Sequence, residues 1–361
     1  MTATVQTRIL EGFDDPTFGP DQWDSLLQRT GTDNVYLTWQ WQRAWWEAFG
    51  KGNPFLIVVE RQGRVVALAP LYVRSGMVYF IGAAYWEADR LDFIGDVGDP
   101  QVLQAIIETA REAEPELEGF KFEFVPAQSP TARGLESVAE RLDIPCYLEW
   151  DQEAAIRDLV GDPTNSADRR SLRKLENYFR RDGSFHVEHL RDGAAILPHL
   201  PEFFAQHVER WTTKANASLL GGESHCAFYE HLTQLAAHTG WLRFTRIQWN
   251  GRPIAFHYGY SYNGRYVWNA SSFALDLADR SPGQVLLRQL FLEAAAERCH
   301  TFDFGTGDQP FKLRFANRIT SVQGWGLYPH SESSGQQSSK GTSAVVPLAG
   351  AFSNSGGGGA S

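Results

Sequence analysis

Apolar and polar positions alternate along three runs between Trp241 and Phe273: WLRFTRIQ, PIAFHYGYSY and RYVWNASSF. Alternation with period two marks strands that bury one face. The runs are separated by Asn250-Gly251 and Asn263-Gly264. Asn-Gly between such runs signals a hairpin, because both residues tolerate positive φ. The pattern predicts an antiparallel three-strand meander. In its middle strand Ile254, Phe256, Tyr258 and Tyr260 share one face, and Ala255, His257, Gly259 and Ser261 the other. In the stretch that follows, Val285, Leu286, Leu290, Phe291 and Ala294 recur near helical spacing. Phe302-Asp303-Phe304 then reads as a further strand, running into Gly305-Thr306-Gly307-Asp308.

The first half repeats this plan. Residues 55–83 again read strand, turn, strand, turn, strand. Gly63-Arg64, Val66 and Ala67 match Gly251-Arg252, Ile254 and Ala255 at one constant offset. Gln101-Val102-Leu103 opens a helical stretch as Gln284-Val285-Leu286 does, and Phe122-Glu123-Phe124 answers Phe302-Asp303-Phe304. One order of elements used twice indicates a duplicated unit. Helices, meander, helix and strand in that order predict an α+β fold with a largely antiparallel sheet. Upstream, residues 36–49 read as a helix that packs Trp39, Trp46 and Phe49 inward; a sugar-stacking role for this aromatic run is the alternative. A polar, turn-rich stretch near 150–165 marks a boundary. From Ser331 onward Ser, Gly and Gln dominate, which predicts a disordered tail, with AVVPLAGAF as a possible docking peptide inside it.

Composition narrows the function classes. The chain is 43% hydrophobic and carries 12 Trp and 23 Phe, which argues against disorder as a whole. Its net charge of −10 argues against general nucleic-acid binding. The basic helix expected at 166–181, with Arg169, Arg170, Arg173, Lys174, Arg180 and Arg181, is either a solvated face or a local anion attractor. Cys146, Cys226 and Cys299 are odd in number and lack metal-type spacing, so reduced thiols in a cytoplasmic protein are expected. No secretory leader and no membrane span are expected, since no apolar run approaches the ~18 residues a span requires. His225 and His231 have no credible partner ligands, so no metal is expected.

The chemistry concentrates around the second helix start. Ser281 suits an N-cap, Pro282 the first helical turn, and Gly283 permits close approach of a ligand to the backbone. Such a start can hold a pyrophosphate, although a capped helix needs no ligand.

Arg210-Trp211, Gly251-Arg252 with Ala255, Ser281-Pro282-Gly283, Phe302-Asp303-Phe304 and the Asp308 to Lys312 loop together resemble the GNAT acyltransferase superfamily. The closer resemblance is to the CelD-like acetyltransferases linked to cellulose biosynthesis. These are relatives of the Fem peptidyltransferases, which carry two GNAT-like units. The resemblance is strongest over about 165–316 and extends weakly back to about 20. It implies two tandem GNAT-like units, 1–155 and 156–330, ahead of the tail at 331–361. The first is expected to be degenerate, because Asp99-Pro100-Gln101 replaces the Ser-Pro-Gly start.

The implied reaction is transfer of an acyl group from acyl-CoA to an amine or hydroxyl of a small molecule, sugar or polysaccharide precursor. The resemblance places pantetheine where RYVWNASSF and HTFDFG splay apart, and pyrophosphate on Ser281, Pro282, Gly283 and Gln284, with Asn269 on the donor strand. Of the usual glycine-rich pyrophosphate loop, only Gly283 survives. Lys312 would stabilise developing charge and Asp308 would accept a proton, with His257 as the alternative base. A bare ion pair between Asp308 and Lys312, and a merely packed His257, are the structural alternatives. Arg210, Trp211, Asp92 and Phe311 are the expected acceptor contacts, Asp92 lying with Asp89 in a loop near the junction. Fem relatives use aminoacyl-tRNA instead, which the acidic balance here disfavours. A non-catalytic accessory role in polysaccharide synthesis is the remaining alternative.

Overall fold

The computed structural model describes residues 4–29, 31, 33–85, 87–161, 166–212, 218–307 and 309–329. The expected tail and Asp308 lie outside the described residues. The first half supplies β1 (Val5–Ile9), β2 (Phe55–Arg61), β3 (Arg64–Arg74), β4 (Met77–Phe80), β5 (Ile94–Gly95), β6 (Gly119–Pro126) and β7 (Cys146–Asp158). The second supplies β8 (Phe185–Leu190), β9 (Leu242–Trp249), β10 (Arg252–Tyr262), β11 (Arg265–Phe273), β12 (Thr301–Thr306) and β13 (Arg318–Leu327). All join one mixed sheet, in the order β1-β2-β3-β4-β6-β13-β7-β12-β11-β10-β9-β8, with β5 paired to β3.

The duplication is visible in the turns. Gln62-Gly63 and Ser75-Gly76 in the first half, and Asn250-Gly251 and Asn263-Gly264 in the second, all have both residues at positive φ, between 47° and 77°. Paired positive φ values match the right-handed twist of flanking strands, which closes tight hairpins. Each meander is followed by a helix and a strand added in parallel. β4 pairs with β6 over Met77–Gly119, Val78–Phe120 and Tyr79–Lys121, and β11 with β12 over Arg265–Thr301, Tyr266–Phe302 and Val267–Asp303. Because the preceding turns correspond, the counterpart of Phe302-Asp303-Phe304 is Phe120-Lys121-Phe122 and not Phe122-Glu123-Phe124. Phe120, Phe122 and Phe124 recur every second residue, so a two-residue slip preserves the sequence pattern.

The last strands of the two units are exchanged. β7, from the first half, pairs with β12 of the second, and β13 crosses back to pair with both β7 and β6. The stretch expected as a boundary near 150–165 is therefore strand as far as Asp158.

Other local expectations shift by a residue or two. The Trp-rich helix runs Trp39–Phe49 with Thr38 as its N-cap; Trp41, Ala44 and Trp45 are fully buried, while Trp39 and Trp46 are only partly so. Starting the helix after Thr38 rotates the inward face away from Trp39. The basic helix begins at Arg170 rather than 166. Phe311 and Lys312 lie in a short helix, Pro310–Phe315, rather than in open loop.

Candidate functional site

The two strands at the centre of the second unit part after three residue pairs. Beyond Val267 and Asp303 the β11–β12 ladder stops, and β12 breaks register with β7 between Asp303 and Thr306. Gly305 makes this possible at φ 73°, a value that strains a residue with a β-carbon. The opening is bounded by Trp268 and Asn269 on one side and Phe304 on the other. Phe311 spans it, 5.9 Å from the Trp268 ring and 6.3 Å from that of Phe304.

Helix Pro282–Ala296 begins beside the end of β11, where Gly283 lies against Phe273. Ser281 is its N-cap residue but sits in the left-handed region at φ 54°, and its hydroxyl caps nothing. Its carbonyl accepts from the Gln284 and Val285 amides at 3.0 and 3.3 Å, and its amide donates to the Ala278 carbonyl at 2.9 Å. The expected hydroxyl cap is thus absent, and the positive end of the helix carries no side-chain anion. The corresponding start in the first unit differs. There Asp99 caps helix Pro100–Ala113 through the Gln101 amide at 2.9 Å, and its carboxylate also meets Arg61 at 2.6 Å. A carboxylate already occupies the place an anionic ligand would take.

Arg210 lies beside the open helix start. Its guanidinium sits 4.2 Å over the Phe273 ring and donates to the Ser271 carbonyl at 2.8 Å. The same ring lies against Gly283, where an added β-carbon would meet Phe273 Cδ1 at 3.1 Å. Arg210, Phe273 and Gly283 are therefore stacked in sequence. Burial lowers the Arg210 guanidinium to about 10, since a cation without nearby water is disfavoured. Trp211 stacks on His207 at 5.8 Å.

Below the opening, Asn269 donates to the Tyr229 hydroxyl at 3.1 Å, and Tyr229 donates to Glu87 Oε2 at 2.9 Å. Glu87 is 5% exposed, with His225 Nε2 3.7 Å from its other oxygen. Burial raises Glu87 to about 8, against the pull of the Tyr229 hydrogen bond. Neither Glu87 nor Tyr229 stood out from the sequence: a lone Glu in a loop and a Tyr on a helix carry no spacing signal, and only the fold brings them to Asn269.

The remaining sequence candidates scatter. Asp89, not Asp92, reaches the second unit: its Oδ1 accepts from the Thr306 amide at 3.0 Å and the Thr306 hydroxyl at 2.6 Å. Asp92 is buried in the first unit, held by Thr131 and by the Phe93 amide, and burial lifts it to about 7. His257 has no exposed surface; it packs against Tyr266 and Trp268, and burial lowers it to about 3. That is the position of a packed strand histidine, closed off from an acceptor. Lys312 is buried too, and its ammonium donates to the Thr306 carbonyl. Among the described residues no group of three or more His, Cys, Asp or Glu side chains is placed to hold a metal ion, and no helix is long and apolar enough to cross a membrane.

Residues 166–313 match the family model for an acetyltransferase (GNAT) domain. Solved structures of similar fold include FemX, at 12% identity and TM-score 0.62, covering 86% of this chain and 96% of that one. L-PGS from Bacillus licheniformis is similar at 15% identity and TM-score 0.57, covering 90% of this chain and 94% of that one. A tandem GNAT protein from the clavulanic acid biosynthesis pathway is similar at 13% identity and TM-score 0.50, covering 92% of this chain and all of that one. A search of curated proteins finds no match. Residues 166–313 thus resemble an acetyltransferase (GNAT) domain, in a chain whose mixed α+β sheet matches the fold of tandem GNAT structures.

Proposed function

We propose that the protein is an acyltransferase that moves an acyl group from acyl-CoA to an amine or hydroxyl of a small molecule or saccharide. The observation that carries this reading is the parting of β11 from β12, with an uncapped helix start against Phe273 at the end of β11 and Arg210 stacked on the same ring. A helix N-terminus and a neighbouring guanidinium suit a pyrophosphate. The apolar opening suits the thioester arm. The Asp99 carboxylate closes the equivalent start in the first unit, which supports one donor site per chain.

In the reaction the acceptor's nitrogen or oxygen attacks the thioester carbonyl carbon and the C–S bond breaks. Glu87 accepts the acceptor's proton once ionised, a role that a carboxyl near 8 fits at mildly alkaline pH. Tyr229 supplies a proton to the departing thiolate and regains one from Glu87 along their hydrogen bond. Lys312 and Asp89 are positioning residues that fix Thr306 at the end of β12.

Titration of the full chain with acetyl-CoA, followed calorimetrically, tests the donor. Saturable binding is expected. Silence toward several acyl-CoAs, or a gel shift with aminoacyl-tRNA in its place, would remove this reading.

A further inference from the structure

The first unit contains a cavity of about 280 Å³ that the donor site does not use, lined by Tyr72, Arg74, Ser75, Tyr79, Ala84 and Glu123. It lies on the first unit's side of the molecule, where β4 and β6 part beyond Tyr79 and Lys121, just as β11 and β12 part in the second unit. In the second unit the space against Tyr260, on the corresponding face of the sheet, is filled. Tyr260, the counterpart of Tyr72 in the repeat, packs edge-on against Tyr36 at 6.0 Å. Gly305 stands where the first unit has Glu123, and a β-carbon there would meet Asp89 Oδ2 at 2.3 Å. Tyr36 and Asp89 thus fill that face of the second unit, and in the first unit it is left as a cavity.

Its lining is built rather than incidental. β6 breaks register with β13 between Phe122 and Val125, and Phe124 takes φ 61°, a strained value for an aromatic residue. Bulges of this kind re-aim a neighbouring side chain, here Glu123, which stands beside the bulge on the cavity wall. The Tyr72 and Tyr79 rings stack at 5.4 Å, and Trp45 and Trp46 back Tyr72 at 5.5 and 6.1 Å, giving a rigid aromatic wall. Lys121, the nearest cation along the strand, is drawn to Glu149 at 3.7 Å. The side chains of Tyr72, Arg74, Ser75, Tyr79 and Glu123 make no hydrogen bond or ion pair with any described residue, so five polar groups face one space with their capacity unused.

We propose that this cavity binds a single pyranose ring, stacked on the Tyr79–Tyr72 wall with its hydroxyls shared between Glu123, Arg74 and Ser75. The chemistry selects that class. Arg74 donates, and Glu123 and Ser75 both donate and accept, a mixed set that the hydroxyls of a neutral polyol satisfy. Burial pushes Glu123 up to about 7, so near neutrality its carboxyl both donates and accepts, as hydroxyl partners require. A flat aromatic wall suits the apolar face of a sugar ring. The volume lies just under the range of about 300–1,000 Å³ typical of drug-sized ligands, which suits one ring. The site is independent of the donor reading, because sugar binding is measured without acyl-CoA.

The test is saturation-transfer NMR and calorimetry on the full chain with methyl glucoside, N-acetylglucosamine and glucosamine, and with alanine and lysine as zwitterionic controls. Saturable millimolar binding of at least one sugar is expected. It should weaken tenfold or more in Tyr79→Leu and in Glu123→Ala while acetyl-CoA binding is unchanged. Arg74→Gln, at an exposed strand end, should weaken it as well and guards against misfolding of the first two. Absence of sugar binding, sugar binding indifferent to all three substitutions, or preferential binding of the amino acids would each overturn the assignment.

Discussion

Arg90, from the first unit, is hydrogen-bonded to the carboxylate of Asp303, at the centre of the second. Asp303 has no exposed surface and also accepts from Arg265 at 2.9 Å and from the Gly305 amide at 3.0 Å. Arg90 and Arg265 hold its carboxyl below the ordinary range in spite of burial. Removing one member of a buried ion pair leaves an uncompensated charge and costs about 3–5 kcal/mol. Asp303→Asn, which strands Arg90, is expected to lose about that much in urea unfolding. Arg265→Gln leaves Arg90 in place and removes a partly exposed partner, so about 1 kcal/mol or less is expected. An Asp303→Asn loss under about 1 kcal/mol would show that the units are not joined through this carboxylate.

Gly283→Val is expected to weaken acyl-CoA binding by tenfold or more. A β-carbon at this position already meets Phe273 Cδ1 at 3.1 Å, and valine's branches extend further into the space beside Arg210. The chain begins a helix here at ordinary φ, so the fold should survive. Calorimetry with acetyl-CoA, alongside a melting curve, checks both halves of this expectation. Full affinity in a folded variant would displace the donor from this helix start.

How much of this was legible beforehand depended on distance along the chain. The Asn-Gly hairpins, the period-two strands and the amphipathic helix after Pro282 are local, and the sequence pattern gives them directly. The repeat was legible as an order of elements, but its register was not, because phenylalanines at Phe120, Phe122 and Phe124 allow two alignments. The strand exchange between β7 and β13 leaves no trace in sequence, since a strand reads the same whichever neighbour it joins. Arg210 and Gly283 stand far apart in sequence, and only the fold brings them together at Phe273. Glu87 carries no sequence signal because burial, which makes it chemically unusual, is a tertiary property.

Activity is expected to rise with pH through about 8 as Glu87 ionises. In Glu87→Gln that limb of the kcat/KM profile should vanish and turnover should fall by about 100-fold, the lower end of the range for losing a general base. Stability should move the other way. The folded-state pKa of Glu87 is raised above its ordinary 4.5, so its neutral form is favoured by folding. That contribution is complete below about 4.5 and is lost as pH rises through about 8. Wild-type melting temperature should therefore decline between pH 5 and pH 9 more steeply than that of Glu87→Gln. Asp92 and Glu123, each raised to about 7 by burial, slope in the same direction and set the residual decline in the variant. Parallel stability profiles in the two proteins would mean that Glu87 does not titrate in this window.

Thr306 is gripped from both sides: its amide and hydroxyl donate to Asp89, and its carbonyl accepts from the Lys312 ammonium. This geometry gives Lys312 a backbone oxygen as partner, so its effect on the reaction should run through the position of the strand end. Lys312→Met and Asp89→Asn should then share one signature. Each should lower kcat by roughly tenfold with little change in the KM for acyl-CoA, the pattern of an interaction that orients rather than binds. Combined, they should cost less than the product of the single effects, because both act on one residue. A lysine that instead stabilises charge in the transition state behaves differently. Its loss should cost about 100-fold or more in kcat, Asp89→Asn should cost little, and the two effects should multiply. Steady-state kinetics on the two single variants and the double variant separate the cases. Multiplicative losses dominated by Lys312→Met would return that lysine to the reacting atoms.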